Sequence, residues 1–160
     1  MDDLTDILGK AMKLEEEGRD FYLKAADLTD DLETKKMFYQ LAEDELDHLG
    51  YVQRQYAALK CDEAWCTLPE MDKIEPIDLE APIFPADLQR IESLSDNATL
   101  EDALVFALAA EKESFALYQQ GAGKAHNAEA RQLFLQLASA EMTHFNTLMQ
   151  RYESAYGYPR

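Results

Sequence analysis

The sequence predicts an all-α chain folded as a four-helix bundle, made of two repeated helical hairpins joined by one long crossover. Three observations carry that expectation. Four of the five prolines, Pro69, Pro76, Pro82 and Pro85, fall in one central stretch, and Pro159 lies at the C-terminus. The long stretches on either side therefore lack the residue that breaks helices. Apolar residues recur through both at three- and four-residue steps. The halves also match each other without a gap: Leu4 aligns with Leu100, an offset of 96, and the same offset pairs Tyr22 with Tyr118, Phe38 with Phe134 and Tyr56 with Tyr152. A repeated hairpin can bury its apolar face against its own copy.

The first helix is expected from about Leu4 to Leu28, on the stripe Leu4, Leu8, Ala11, Gly18, Tyr22 and Ala25. A turn near Thr29-Asp30 follows, where Asp30 and Glu33 resemble a capping box. The second helix then runs to about Leu59 on Phe38, Leu41, Val52 and Tyr56. The third starts near Thr99, carries Leu100, Leu104, Ala107, Ser114 and Tyr118, and is expected to stop at Gly121-Ala122-Gly123. The fourth runs from about Asn127 to Tyr156 on Phe134, Leu137, Leu148 and Tyr152. The domain reading is one unit over 1-160: a hairpin at 4-59, a crossover at 60-98 and a hairpin at 99-156. The crossover is too long for a tight turn between antiparallel neighbours. A helix of about 29 residues is roughly 43 Å long at 1.5 Å per residue, a length the crossover can run back along. A short helix from Ala86 to Ser93 could lie within it.

Charge narrows the function. The chain carries 32 acidic and 15 basic residues, a formal charge of −17. That excludes the basic footprint of a nucleic-acid binder and suits attraction of cations. No apolar stretch is long enough to span a bilayer, and the acidic start Met1-Asp2-Asp3 is no secretory signal. The expectation is a soluble, cytoplasmic protein without membrane contact. Cys61 and Cys66 are spaced C-x4-C with no second pair, which does not make a rubredoxin or zinc-ribbon site.

Each apolar stripe is interrupted by polar residues that keep its spacing. They are Glu15 in the first helix, Glu45 and His48 in the second, Glu111 in the third, and Glu141 and His144 in the fourth. Glu15 and Glu45 flank residue 30 equally, and Glu111 and Glu141 flank residue 126, so each antiparallel hairpin sets two carboxylates at one level. Each E-x-x-H adds an imidazole on the same face. Four inward carboxylates cannot stay bare, because desolvation and mutual repulsion both oppose their charge. Two divalent cations would neutralise them, and neutral histidine would give each metal a nitrogen ligand. Such an oxygen-rich set suits two iron ions, with manganese or zinc possible. His126 is expected in the loop as a solvated residue, not a ligand.

At these residues the chain resembles the ferritin-like superfamily and, within it, the rubrerythrin group, over both hairpins. Glu15 with Tyr22, Glu45-x-x-His48, Glu111 with Tyr118 and Glu141-x-x-His144 carry the resemblance. It implies that Glu45 and Glu141 bridge two metals, that Glu15 and Glu111 each cap one, and that Tyr22 and Tyr118 donate to those carboxylates. Two departures stand out. Rubrerythrins carry a further Glu one turn beyond the third-helix ligand, where this chain has Ser114, matched by Gly18 in the first half. Glu113 lies nearby at a spacing that points it elsewhere. There is also no C-terminal rubredoxin domain, so electrons would come from an external electron-donor protein. The symmetric ligand set is similar to that of bacterioferritin too, although Met12, Met37, Met142 and Met149 read as core or boundary residues and not as haem ligands.

The resemblance implies oxidoreduction, with hydrogen peroxide or dioxygen as oxidant: peroxidase-like reduction of hydrogen peroxide first, ferroxidase and iron-storage activity as the alternative, and a non-catalytic metal-binding bundle as the third. Val105, Phe106, Ala109 and Phe115 give the third helix a second apolar face, which suggests a homodimer or a surface under the crossover.

Overall fold

A side-chain oxygen caps each described α-helix at its start. The computed structural model describes residues 3–60 and 98–157, and these form α1 (Leu4–Ala25), α2 (Leu32–Lys60), α3 (Leu100–Lys124) and α4 (Ala128–Tyr156). Asp3 and Thr99 cap α1 and α3. Each accepts the N–H three residues on, of Asp6 at 2.9 Å and of Asp102 at 3.1 Å, and each of those acids accepts the cap's own N–H in return. Asn127 caps α4 by accepting the N–H of Ala130 at 2.7 Å. These pairs obey the 96-residue repeat, so the local signals that start the helices were copied with the core pattern.

Two boundaries differ from expectation. The cap of α2 is Asp31, not Asp30. Its carboxylate accepts the N–H of Thr34 at 3.0 Å and the Thr34 hydroxyl at 2.6 Å, while Glu33 stays exposed. The Thr29 hydroxyl accepts the Asp31 N–H at 3.1 Å and steadies the extended backbone before the cap. Asp31 is the repeat partner of Asn127, so the repeat itself marks the right residue. Before this cap, a short 3-10 turn, Ala26–Leu28, ends the first arm. The second difference is in α3, which runs through Gly121 and Gly123 to Lys124. Gly121 is there for space: a Cβ would sit 2.6 Å from the Phe134 ring. Among the described glycines only Gly157, at the end of α4, has positive φ.

Side-chain partners fix the topology. Tyr22 meets Glu111 and Tyr118 meets Glu15, so α1 and α3 run antiparallel. His48 meets Glu141 and Asp44 meets His144, so α2 and α4 do too. Within the hairpins, α1 packs along α2 and α3 along α4; the hairpins join mainly through α1 and α3, and α2 meets α4 less extensively. Lys60 and Leu100 therefore lie at opposite ends of the bundle. The expected crossover between them, Cys61, Cys66 and the short helix expected at Ala86 to Ser93 lie outside the described residues.

The apolar core forms two plugs. One holds Leu8, Ala11, Val52, Tyr118, Phe134 and Leu137; the other holds Tyr22, Phe38, Leu41, Leu104, Phe145 and Leu148. The four methionines pack on their margins. The second apolar face of α3 is largely used within the chain: Ala109 and Phe115 are buried, and Phe106 stacks on Phe21 with ring centroids 4.8 Å apart. No described helix is long and apolar enough to cross a membrane.

Candidate dimetal centre

Between the two plugs lies a layer of charge. Glu15, Glu45, His48, Glu111, Glu141 and His144 each expose 4% or less of their surface, a level at which an ionisable side chain needs a partner. Their donor atoms fall into two quartets: Glu15, Glu45, His48 and Glu141, and Glu45, Glu111, Glu141 and His144. Within each quartet the atoms lie within 4.8 Å of one another. Glu45 and Glu141 belong to both. Glu15 with His48 completes one quartet, and Glu111 with His144 the other. The six residues singled out in the sequence thus meet at one place, while His126 is exposed in the loop between α3 and α4 and Glu113 lies outside both quartets.

Both imidazoles turn Nδ1 inward. His48 Nδ1 is 3.2 Å from Glu141 Oε1 and 3.6 Å from Glu15 Oε1. His144 Nδ1 is 3.0 Å from Glu45 Oε1 and 3.4 Å from Glu111 Oε1. The rings lie nearly parallel, 5.6 Å between centroids. Each tyrosine crosses to the other hairpin: the Tyr22 hydroxyl donates to Glu111, and the Tyr118 hydroxyl to Glu15. The tyrosines thus hold the Glu111 and Glu15 carboxylates from the opposite hairpin and tie the halves together.

Ionisation in the metal-free state follows from crowding. Burial, then the Glu141 and Glu15 carboxylates, pushes Glu45 well above the usual carboxylate range; burial and the Glu111 charge do the same to Glu141. Burial also acts on Glu15, but its hydrogen bond with Glu45 and the His48 charge outweigh it and hold Glu15 down at about 2. Glu111 is held low against burial by the His144 charge and its hydrogen bond with Glu141. Burial opposes protonation of His48, yet the Glu15 and Glu141 carboxylates raise it to about 10; Glu111 and Asp44 likewise raise His144 against its burial. Burial and the neighbouring carboxylates push both tyrosines far up, so they remain donors.

Even so, the cluster does not satisfy itself. Glu15 Oε2, Glu45 Oε1, Glu111 Oε2, Glu141 Oε2 and His144 Nδ1 are buried without a hydrogen-bond partner. These atoms belong to residues of the quartets, and buried polar atoms in folded proteins are otherwise nearly always paired. Four carboxylates and two neutral imidazoles match two divalent cations in charge and in donor type. The residues therefore fit a dimetal site.

One neighbour escaped the sequence reading. Asp44 Oδ2 lies 3.1 Å from His144 Nε2, and Asp44 Oδ1 accepts from Gln40 Nε2 at 3.0 Å. Burial pushes the Asp44 carboxyl up, but the bonds from His144 and Gln40 keep it low and ionised. Its repeat partner is Ala140, so the half-to-half comparison that exposes the six donors hides this one. Among the described residues, two openings reach the layer. A groove of about 590 Å³ between α2 and α4 has Asp44 and His144 in its lining. A smaller pocket of about 130 Å³ between α1 and α3 reaches Glu45 and Glu111.

Known proteins agree with this architecture. A candidate ferritin-like diiron-carboxylate protein from Thermotoga maritima shares 22% identity, with 96% of each chain covered and a TM-score of 0.68. A hypothetical protein from Pyrococcus furiosus shares 24% identity, covering 94% of this chain and 89% of its own, with a TM-score of 0.69. Both likenesses establish the ferritin-like fold. No curated protein matches the chain. The sequence model of the rubrerythrin family matches residues 6–152, which takes in all six donors and both tyrosines, and the chain belongs to the rubrerythrin family.

Proposed function

We propose that the chain is a diiron protein that reduces hydrogen peroxide to water, reset by an external electron-donor protein. The observation that carries the reading is the sharing of Glu45 and Glu141 between two quartets, each completed by its own carboxylate and imidazole. Shared carboxylates suit a pair of adjacent ions, and capping residues unique to each suit two positions. Family membership and the diiron-carboxylate description of the Thermotoga maritima chain support iron in that role.

When bound, a reduced iron pair supplies the two electrons that cleavage of an O–O bond consumes. The chain's own part is to hold that pair and manage protons. Glu45 and Glu141, common to both quartets, would serve both ions, Glu15 with His48 would hold one and Glu111 with His144 the other, while Tyr118 and Tyr22 orient the Glu15 and Glu111 carboxylates. Asp44 fixes the His144 ring with Nδ1 inward. The plugs on either side keep bulk water from the layer except through the two openings.

Anaerobic stopped-flow absorbance tests the reading. Protein loaded with two ferrous ions per chain is mixed with peroxide or with air-saturated buffer. Much faster oxidation by peroxide is expected. Faster reaction with oxygen, together with uptake beyond two irons per chain, would transfer the assignment to ferroxidase and storage activity, and no oxidation by either would leave a static metal-binding bundle.

A further inference from the structure

The opening between α1 and α3 is chemically unlike the groove on the other side. Leu14, Phe21, Phe106 and Ala110 form an apolar part of its wall. Phe21 and Phe106 stack on each other, one from each helix. At its inner end it reaches Glu45 and Glu111, two of the candidate ligands. Two small residues, Gly18 and Ser114, keep that end open. At Gly18 even a Cβ would lie 3.2 Å from Glu45 Oε2, so the opening is set by what is missing from the side chain.

Size and charge narrow the occupant. The pocket holds about 130 Å³ of free space, whereas one water needs only ~10–15 Å³ of such space. Hydrogen peroxide would leave most of it filled by water against apolar walls. Glu17 and Glu113 line the same pocket, and with the net charge of −17 they disfavour an anion. What fits is a small uncharged molecule with a compact apolar body and a polar end that reaches the carboxylate layer.

We propose that this pocket seats the alkyl group of a small, uncharged organic hydroperoxide, so that the chain reduces alkyl hydroperoxides as well as hydrogen peroxide. The inference rests on the peroxide-reducing reading above. The chemistry balances: the O–O bond breaks, one electron is drawn from each of two ferrous ions, two protons come from solvent, and the products are an alcohol, a water and the diferric pair.

The test uses the full chain with tert-butyl hydroperoxide. Diferrous protein is mixed anaerobically with hydrogen peroxide or with tert-butyl hydroperoxide, and tert-butanol is quantified. Rapid oxidation by both is expected. Ala110→Leu fills the pocket, and its reaction with the alkyl hydroperoxide is expected to fall ~10-fold or more, the scale on which apolar pockets discriminate by size. Its reaction with hydrogen peroxide is expected to stay as it was. A second readout needs no turnover: tert-butanol titrated into zinc-loaded protein should shift the amide resonances of Gly18 and Ser114, and should not in Ala110→Leu. Oxidation by hydrogen peroxide alone overturns this inference and leaves the broader function standing. Oxidation by neither overturns both. Equal slowing of both peroxides in Ala110→Leu, or absence of the tert-butanol shifts in the parent protein, also overturns it.

Discussion

Glu45 and Glu141 carry more of the site than the other four donors, because each serves both quartets. Replacing either with alanine removes a ligand from two positions at once and leaves two capping carboxylates with less to neutralise them. Glu45→Ala or Glu141→Ala is therefore expected to lose at least one metal per chain and most redox turnover, read by elemental analysis of protein reloaded with two equivalents. Full occupancy in either variant would contradict the bridging role. Asp44 has a narrower reach. It touches His144 and nothing else in the cluster, and its repeat partner Ala140 offers His48 no such carboxylate. Asp44→Ala should weaken one of the two metal positions by ~10–100-fold, the usual cost of losing a partner that orients a ligand. Competition titration with a zinc chelator resolves the two binding steps. Equal weakening of both, or of neither, would show that Asp44 does not position His144.

Two glycines two positions apart separate packing from propensity in α3. Gly121 is buried under the Phe134 ring, where a Cβ would meet ring atoms at 2.6 Å. Gly123 is exposed, and a Cβ there meets nothing within 4 Å. Gly121→Ala should destabilise the metal-free protein by ~1–3 kcal/mol through overpacking. Gly123→Ala should stabilise it by up to about 1 kcal/mol, because alanine holds a helix better than glycine. Urea unfolding of both variants decides, and similar effects at the two positions would refute the packing role of Gly121. The same pair shows where sequence reading stops. Four helices, their pairing and all six buried donors were legible, since each leaves a periodic trace that the second copy repeats. The role of Gly121 was not, because a glycine kept for a neighbour's ring looks like a helix stop until the ring is placed. The cap at Asp31 competed with an equally plausible Asp30, and only the repeat partner Asn127 separates them. The resemblance implied that Tyr22 and Tyr118 donate to Glu15 and Glu111, but not that each crosses to the other hairpin, because periodicity places Tyr22 on the face of Glu15 without saying which opposing helix its hydroxyl meets. Asp44 is one acid among several on α2, and nothing in its spacing distinguishes it from Glu43 or Asp47.

At the scale of the whole molecule, the two hairpins enclose one charged layer whose proton content depends on the metal. Glu15 and Glu111 are held below the ordinary value of 4.5, so folding favours their charged form, a contribution present above pH 4.5 and lost as pH falls through the folded values, about 2 for Glu15. Glu45 and Glu141 are raised above 4.5, so their contribution is full below pH 4.5 and declines as pH rises toward their folded values. His48 and His144 are raised above 6.5; theirs is full below pH 6.5 and lost as pH climbs through about 10 in the case of His48. Taken together, these six groups make the metal-free protein most stable near pH 4.5, with a fall above it that steepens beyond pH 6.5. Metal ligation demands the opposite state, with Glu45 and Glu141 ionised and both imidazoles neutral. Loading two divalent ions should therefore release protons from those residues, since ligands must shed protons to bind. The gain in melting temperature from zinc loading should grow with pH, and comparing the two forms at each pH cancels the background of the remaining surface charges. Calorimetric titration in buffers of different ionisation enthalpy counts the protons, and paired thermal melts from pH 4.5 upward follow the stability. Release of no protons, together with a zinc-induced gain that stays flat with pH, would mean that the carboxylate layer is already ionised before metal arrives.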